Sequence, residues 1–532
     1  MPSPPRSITR RDALKGGAAA VGGAVASGIL PGVAPAFVRD RPQLTHGVQS
    51  GDPTARTAVV RARGDRPSRM LVEVSRDPGF KRRRTVLGPV LTPDTDLTAK
   101  VRLRQLPAGE ELHYRVRLED LRDPTVTSRP VDGRLRTAPR LLGDVSFVWS
   151  GDLAGQNFGI NPDVGGFRIF DAMRRLRPDF FVCSGDTVYA DGPLTETVAL
   201  PDGRTWRNVV TPAKAKVAES LEEFRGQYAY NLLDEALRRF NAVVPQINQW
   251  DDHEVTNNWY PGETLTDDGP DARYTEKSVD VLTARARQAF FEWLPIGPQR
   301  AEAGRIYRRI GYGPLLDLFV LDCRTYKDPN GENRYADPRR GLLGAAQRDW
   351  LEQELAASQA TWKVLATDLP LGLVVPDGPG AQEGIAQGDP GAPLGRELEF
   401  ADVLRSAYDA DVTGIVLITA DVHYTAAHHY DADRGAVDEF APFWEFVSGP
   451  LNAGGFGPAP LDGTFGPEAR FVAAPPRVAA SPLEVAQYFG HVRIDGESRV
   501  MTVDLRDTDG RSLFAVDLQP DDLLARHRIH AR

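Results

Sequence analysis

Six apolar runs of this chain stop at aspartate, and that recurrence restricts the fold more than any other feature. "VSFVWSGD" ends at Asp152, "DFFVCSGD" at Asp186, "AVVPQINQWDD" at Asp251 and Asp252, "LLDLFVLD" at Asp322, "TWKVLATD" at Asp368 and "TGIVLITAD" at Asp421. Short apolar runs of this kind read as buried strands. Between them lie helical segments. In "GGFRIFDAMRRLRPD", Ile169, Ala172, Met173 and Leu176 keep helical spacing until Pro178 stops it. Strands alternating with helices indicate an α/β layered domain from Val145 onward, over residues 145–520.

Ligand sites in such folds gather beyond the carboxyl ends of the strands. One aspartate there is a turn residue or a helix cap. Six strand ends bringing carboxylates to one place would repel strongly at low dielectric, and a polyvalent cation relieves that. Oxygen ligands with an imidazole, such as His423 two residues after Asp421, suit hard metals: Fe³⁺, Mn²⁺ or Ca²⁺. Gly151, Gly185 and Ala420 leave room for close approach before three of the aspartates. This many carboxylates suits two cations, with Asp186 bridging, an arrangement that serves in-line displacement at phosphorus. His253, beside Asp252, is either a general acid for a leaving group or a histidine tied to a neighbouring carboxylate.

Upstream, residues 42–138 follow a different pattern. "TAVVRARG", "MLVEVSRD", "AKVRLRQL" and "LHYRVRLEDL" alternate apolar and polar residues between turn signals, which indicates a β-sandwich. "RLRTAPRLLGD" reads as a linker into the second domain. Residues 1–36 carry the paired Arg10 and Arg11, a Gly/Ala-rich apolar stretch and the small-x-small sequence Ala34-Pro35-Ala36. This is the layout of a twin-arginine (Tat) export signal. Partnership with the Tat machinery and a secreted, periplasmic or cell-surface location are the resulting expectations. No later apolar run is long enough to anchor the mature chain in a membrane. A net charge of −9 and a pI near 5.6 argue against a nucleic-acid-binding module. Cys183 and Cys323 lie in apolar runs and read as buried thiols, with a disulfide between them left open. The Gly/Pro-rich loop 374–395 is long enough to be functional.

In order along the chain, "HGVQSGDPTARTAVV", "SGDTVYADG", "QWDDHEVTNN", "LDCRTYKDP" and "ITADVHYT" resemble the PhoD-like alkaline phosphatases, Tat-exported metallophosphoesterases. The resemblance extends to a branch of phospholipase D-type phosphodiesterases. It implies an N-terminal immunoglobulin- or fibronectin-like sandwich before a catalytic domain of two packed mixed β-sheets flanked by helices. It implies Asp186, Tyr189, Asp252, Asp421 and His423 as metal ligands, with the tyrosinate favouring Fe³⁺ beside Ca²⁺ or Mn²⁺. Asp252 stands where metallophosphoesterases keep an asparagine. Gly151 stands where family members have a cysteine ligand, so Asp152 is expected to supply that ligand. Asp368 falls where the superfamily often has a histidine, and Asn257 is either a ligand or a turn residue. Arg324, in the L-D-x-R motif, either holds a phosphate bidentately or forms a structural ion pair. The resulting expectation is a secreted phosphoesterase in which a metal-bound hydroxide attacks a phosphate monoester or diester, phospholipids included. The alternative from another class is a non-catalytic, metal-stabilised extracellular binding protein.

Overall fold

A computed structural model describes residues 40–298, 304–337, 341–521 and 523. The proposed export signal at 1–36 lies outside them. From Arg41 onward the chain forms one compact unit.

Its centre is a pair of facing sheets, one of nine and one of seven strands. In the first, Val145–Ser150, Phe180–Ser184 and Gln246–Gln249 run parallel side by side. In the second, Leu316–Val320, Trp362–Ala366, Ile415–Thr419 and Phe443–Ser448 do the same. Successive side chains of a strand point to opposite faces. Phe147, Trp149, Phe180 and Val182 therefore face Leu318, Val320, Val364 and Ile418 across the gap between the sheets. Val148, Phe181 and Cys183 point the other way, into a core closed by the helices Ile169–Arg175, Leu221–Asn231, Glu235–Val243 and Val279–Trp293. The outer face of the second sheet packs Phe319, Leu365 and Leu417 against Gly344–Ala357 and Glu397–Asp409. Helices, sheet, sheet and helices form successive layers. Helix starts obey local chemistry: Ser220 and Glu223 form a reciprocal capping box, and the Asp234 side chain accepts from the Leu237 N–H.

The upstream strands form a two-layered sandwich. Leu44–Gly51, Ala58–Gly64 and Thr98–Leu103 make one layer, and Arg83–Leu91, Ser68–Ser75, Glu111–Asp120 and Val131–Arg136 the other. Leu112, Tyr114, Val116 and Leu118, every second residue, meet Val60, Ala62 and Val101 between the layers. The first layer is built into the α/β domain and not merely tethered to it. Leu44–Gly51 pairs in parallel with Gln246–Gln249, so its three strands extend the large sheet. Asp52 at the seam pairs with Arg308 at 2.8 Å and accepts from the Gly297 N–H at 2.7 Å. Among the described residues no helix is long and apolar enough to cross a membrane.

Candidate metal centre

The parallel strands of both sheets end on the same side, and their last residues converge. Four of the converging side chains sit on backbone in the left-handed region: Asp152 (φ 64°), Asp186 (49°), Asp421 (64°) and His423 (56°). Such residues cost about 1–3 kcal/mol each and persist where the surroundings over-determine them. Two glycines let the loops meet. A Cβ on Gly185, itself at φ 90°, would lie 2.4 Å from the Asp251 Cβ. A Cβ on Gly449 would lie 2.1 Å from Asp152 Oδ2.

Two ligand groups result. Asp152, Asp186 and His423 bring ligand atoms within 4.8 Å of one another, and so do Asp186, Asp252 and His253. Asp186 belongs to both. The Tyr189 hydroxyl lies 2.7 Å from His423 Nε2, at the edge of the first group. His423 Nδ1 donates to the Gly454 carbonyl at 2.6 Å, so the lone pair is on Nε2, which faces the cluster. Burial holds this imidazole down to about 4, in its neutral, ligating form. Asp421 lies next to Asp152, whose Oδ1 accepts from the Asp421 N–H at 3.2 Å.

The carboxylates suit a cation. Asp152 Oδ2, Asp252 Oδ1 and Asp421 Oδ2 are buried and have no hydrogen-bond partner among the described residues. Burial pushes Asp152 up to about 8 and raises Asp186 well above the usual carboxylate range, with Asp252 and its neighbours adding to the rise. Clustered buried carboxylates whose negative charge is this costly, and whose oxygens lack hydrogen-bond donors, are what a hard cation satisfies. Tyr189 is raised for the same reasons, burial first and then Asp186 and Asp152.

His253 stacks on Tyr189, ring centres 4.1 Å apart, and its Nδ1 donates to Asp191 Oδ1 at 2.7 Å. Burial alone would lower this imidazole, but Asp191 and Asp252 outweigh it and raise it to about 9. Asp191 is a site residue that the sequence pattern did not single out, although it closes the stretch "SGDTVYAD"; a second aspartate five residues after the first was the available signal. A cavity of about 440 Å³, lined by Tyr189, Asp191, His253, Asn257 and Asp377 among others, opens beside the histidine.

Arg324 sits apart from this cavity. It is fully buried, and its guanidinium contacts Asp251 and Glu383, with Asp368 at 3.7 Å. Of the two roles its motif left open, the ion pair is the one these contacts describe. Glu383 had no signal in the sequence, since it lies in the Gly/Pro-rich loop. That loop is tied down: Arg396 donates to the carbonyls of Gln382, Glu383 and Gly384, and Asp377 accepts from Asn258 at 2.8 Å. Asp251 faces Arg324, Glu254 accepts from the N–H groups of Asp186, Thr187 and Asp251, and Asn257 is exposed, donating its N–H to Asp191. Cys183 and Cys323 are both free.

Residues 147–505 match the family described as PhoD-like phosphatase, and residues 32–139 match the N-terminal domain of the PhoD-like phosphatases. Alkaline phosphatase D of Bacillus subtilis is 26% identical over 440 residues, covering 78% of this chain and 70% of that protein. A solved structure of PhoD superposes with a TM-score of 0.65 at 20% identity, covering 89% of this chain and 88% of the other. Purple acid phosphatase PPD1 from yellow lupin (Lupinus luteus) seeds superposes at 0.57 with 13% identity, covering 91% and 76%. A family match over most of the chain, on a fold that brings the family's motifs together, means that the chain belongs to the PhoD-like phosphatases and is a phosphoric ester hydrolase.

Proposed function

We propose that the chain is an exported, metal-dependent phosphoesterase acting on phosphate monoesters and diesters, with two cations sharing Asp186. The observation that carries this is the pair of ligand groups built on one aspartate, with buried carboxylate oxygens that have no hydrogen-bond partner among the described residues. Asp152, Asp186, His423 and the Tyr189 oxygen would hold one ion, and Asp186 and Asp252 the other, with Asp421 supporting the first. A phenol beside a neutral imidazole favours Fe³⁺ in the first group, and the carboxylates of the second favour Ca²⁺ or Mn²⁺. Bound cations there supply Lewis acidity, lowering the pKa of a water and offsetting charge on phosphoryl oxygens.

The remaining chemistry belongs to the chain. Asp191 accepts a hydrogen bond from His253 Nδ1–H and so fixes the ring's orientation, and because the imidazole is raised to about 9, Nε2 also carries a proton at neutral pH. The imidazolium that Asp191 and Asp252 favour can donate that Nε2 proton to a departing alkoxide. The cavity of about 440 Å³ has room for the second arm of a diester, and this favours diesters, phospholipids among them, as substrates alongside monoesters. Residues 1–36 would direct Tat export to the cell surface or beyond.

Asp186→Asn tests the central claim. Loss of metal by elemental analysis together with loss of turnover on a monoester and a diester is the expected result. Retained turnover with unchanged metal content would sink the reading.

A further inference from the structure

Asp152 leads into the loop 153–158, whose backbone leaves three consecutive donors unused. The N–H groups of Gly155, Gln156 and Asn157 have no hydrogen-bond partner among the described residues. Their neighbours are committed. The Leu153 N–H donates to the Asp186 carbonyl at 2.9 Å, the Ala154 N–H to the Asn452 carbonyl at 2.8 Å, and the Phe158 N–H to the Gly155 carbonyl at 3.0 Å. The Asn157 carbonyl accepts from the Asn208 side chain at 2.9 Å. Gly155 is buried and Gln156 half-buried, so these amides are not simply turned to bulk water. A buried N–H left unpaired costs free energy comparable to a lost hydrogen bond.

The loop is held against the metal centre. A Cβ on Gly155 would lie 2.3 Å from Tyr189 Cζ, the ring carbon that bears the hydroxyl, so only glycine lets the chain cross the ring this closely. A Cβ on Gly454, whose carbonyl accepts from His423, would lie 2.9 Å from the Gln156 Cβ. Gln156 and Asn157 line the cavity of about 440 Å³ together with Tyr189 and His253. Ala154 (φ 67°) and Gln156 (54°) lie in the left-handed region, and Gly155 between them does not. Alternation of this kind turns successive N–H groups to one side and makes a concavity for an anion. The cavity also carries carboxylates, but Asp191 serves His253 and Asp377 accepts from Asn258 and Asn330, while Glu263 and Asp271 share the space with Arg273. The loop amides are a set of donors not yet engaged.

We propose that the N–H groups of Gly155, Gln156 and Asn157 form a cradle for one non-bridging phosphoryl oxygen of the ester substrate. The cradle rests on the phosphoesterase reading and adds to it a binding element made from the chain's own backbone. Hydrogen bonds from neutral N–H groups to a charged oxygen are stronger than those to a neutral one. Fixed amides aimed at an oxygen that carries charge in the transition state need no reorganisation as the ester is cleaved. The oxygen they hold is common to monoesters and diesters, so the cradle serves both alike.

The test exchanges the Asn157 peptide bond for an ester, by incorporating the α-hydroxy analogue of asparagine into the full, metal-loaded chain. This removes one N–H and keeps the side chain. kcat/KM should fall about 10²-fold on a monoester and on a diester, with metal content unchanged. Wild-type kinetics in the ester-bearing chain overturn the cradle alone, whereas a wild-type chain without metal or turnover overturns the phosphoesterase reading with it. Should the ester-bearing chain not fold, crystals of the unmodified, metal-loaded chain with orthovanadate decide. A vanadate oxygen within about 3.2 Å of two or more of the three amide nitrogens supports the cradle, and vanadate bound in the cavity with no oxygen at the loop rejects it.

Discussion

The strand ends of the two sheets begin from the same sequence pattern and reach opposite outcomes. Those of the nine-stranded sheet leave Asp152 and Asp252 with unpartnered oxygens and place Asp186 between two ligand groups. Those of the seven-stranded sheet are mostly satisfied by the protein itself. Asp322 accepts from Trp250 Nε1, the N–H groups of Arg324 and Thr325, and the Thr325 hydroxyl at 2.6 Å. Asp368 accepts from the Cys323 N–H and lies beside Arg324, which also neutralises Asp251 and Glu383. One group of carboxylates thus carries its own cation, a guanidinium, and the other has donors arranged for a metal. The division is not strictly by sheet: Asp251 of the first sheet pairs with Arg324, Asp252 and Asp421 lie 3.9 and 4.0 Å from it, and Asp421 and His423 of the second sheet stand beside Asp152. An apolar run ending in aspartate marks the edge where the site forms. Whether a given aspartate is a ligand is decided by what else reaches its oxygens.

Removing one member from each group should separate the two outcomes. Asp152→Ala takes a donor from the first ligand group, and kcat/KM is expected to fall about 10³-fold or more with a matching loss of metal. Steady-state kinetics with elemental analysis check it, and full metal occupancy in the variant would merge the two groups again. Arg324→Met leaves Asp251 and Asp368 without their counter-ion and Glu383 with Lys327 alone. Stripping one partner from a buried ionic cluster costs about 3–5 kcal/mol. Urea unfolding should show that loss, whereas wild-type stability would mean that the metal ions also serve these carboxylates.

Asp191→Asn probes the boundary between the groups. His253 is raised to about 9, and its charged form is lost as pH rises through that value. Removing the Asp191 charge takes away the largest raising influence, so the alkaline limb of the activity profile should move to lower pH. Activity at neutral pH should fall about 10- to 100-fold. An unmoved alkaline limb would remove His253 from the proton-donating role.

The fold was legible because periodicity and strand-end chemistry are local. Alternation in "LHYRVRLEDL" placed Leu112, Tyr114, Val116 and Leu118 in the sandwich core, and helical spacing placed Ile169, Ala172 and Met173 beneath the first sheet. The continuity of that sheet into the sandwich was not legible. It rests on the meeting of Gly51 and Gln246, residues far apart in sequence with no local signature. The site divides in the same way. Asp152, Asp186, Asp252, Asp421 and His423 stand at strand ends and could be named from the sequence. Asp191, Glu383 and the Gly454 carbonyl act through long-range contacts with His253, Arg324 and His423, and no spacing rule announces such pairs.

Asp322→Ala gives the smallest and most discriminating effect. Asp322 carries the same signal as Asp186, since each closes an apolar run, and only their surroundings distinguish them. Its carboxylate receives hydrogen bonds from an indole, backbone N–H groups and a hydroxyl, so truncation strands several buried donors. The expected cost is about 1–3 kcal/mol of folding stability. Metal content should be unchanged, because Asp322 shares no ligand group with Asp152 or Asp252. A stable variant that has lost metal would mean that Asp322 itself serves a cation, and the distinction between strand ends satisfied by the protein and strand ends left to a metal would fail.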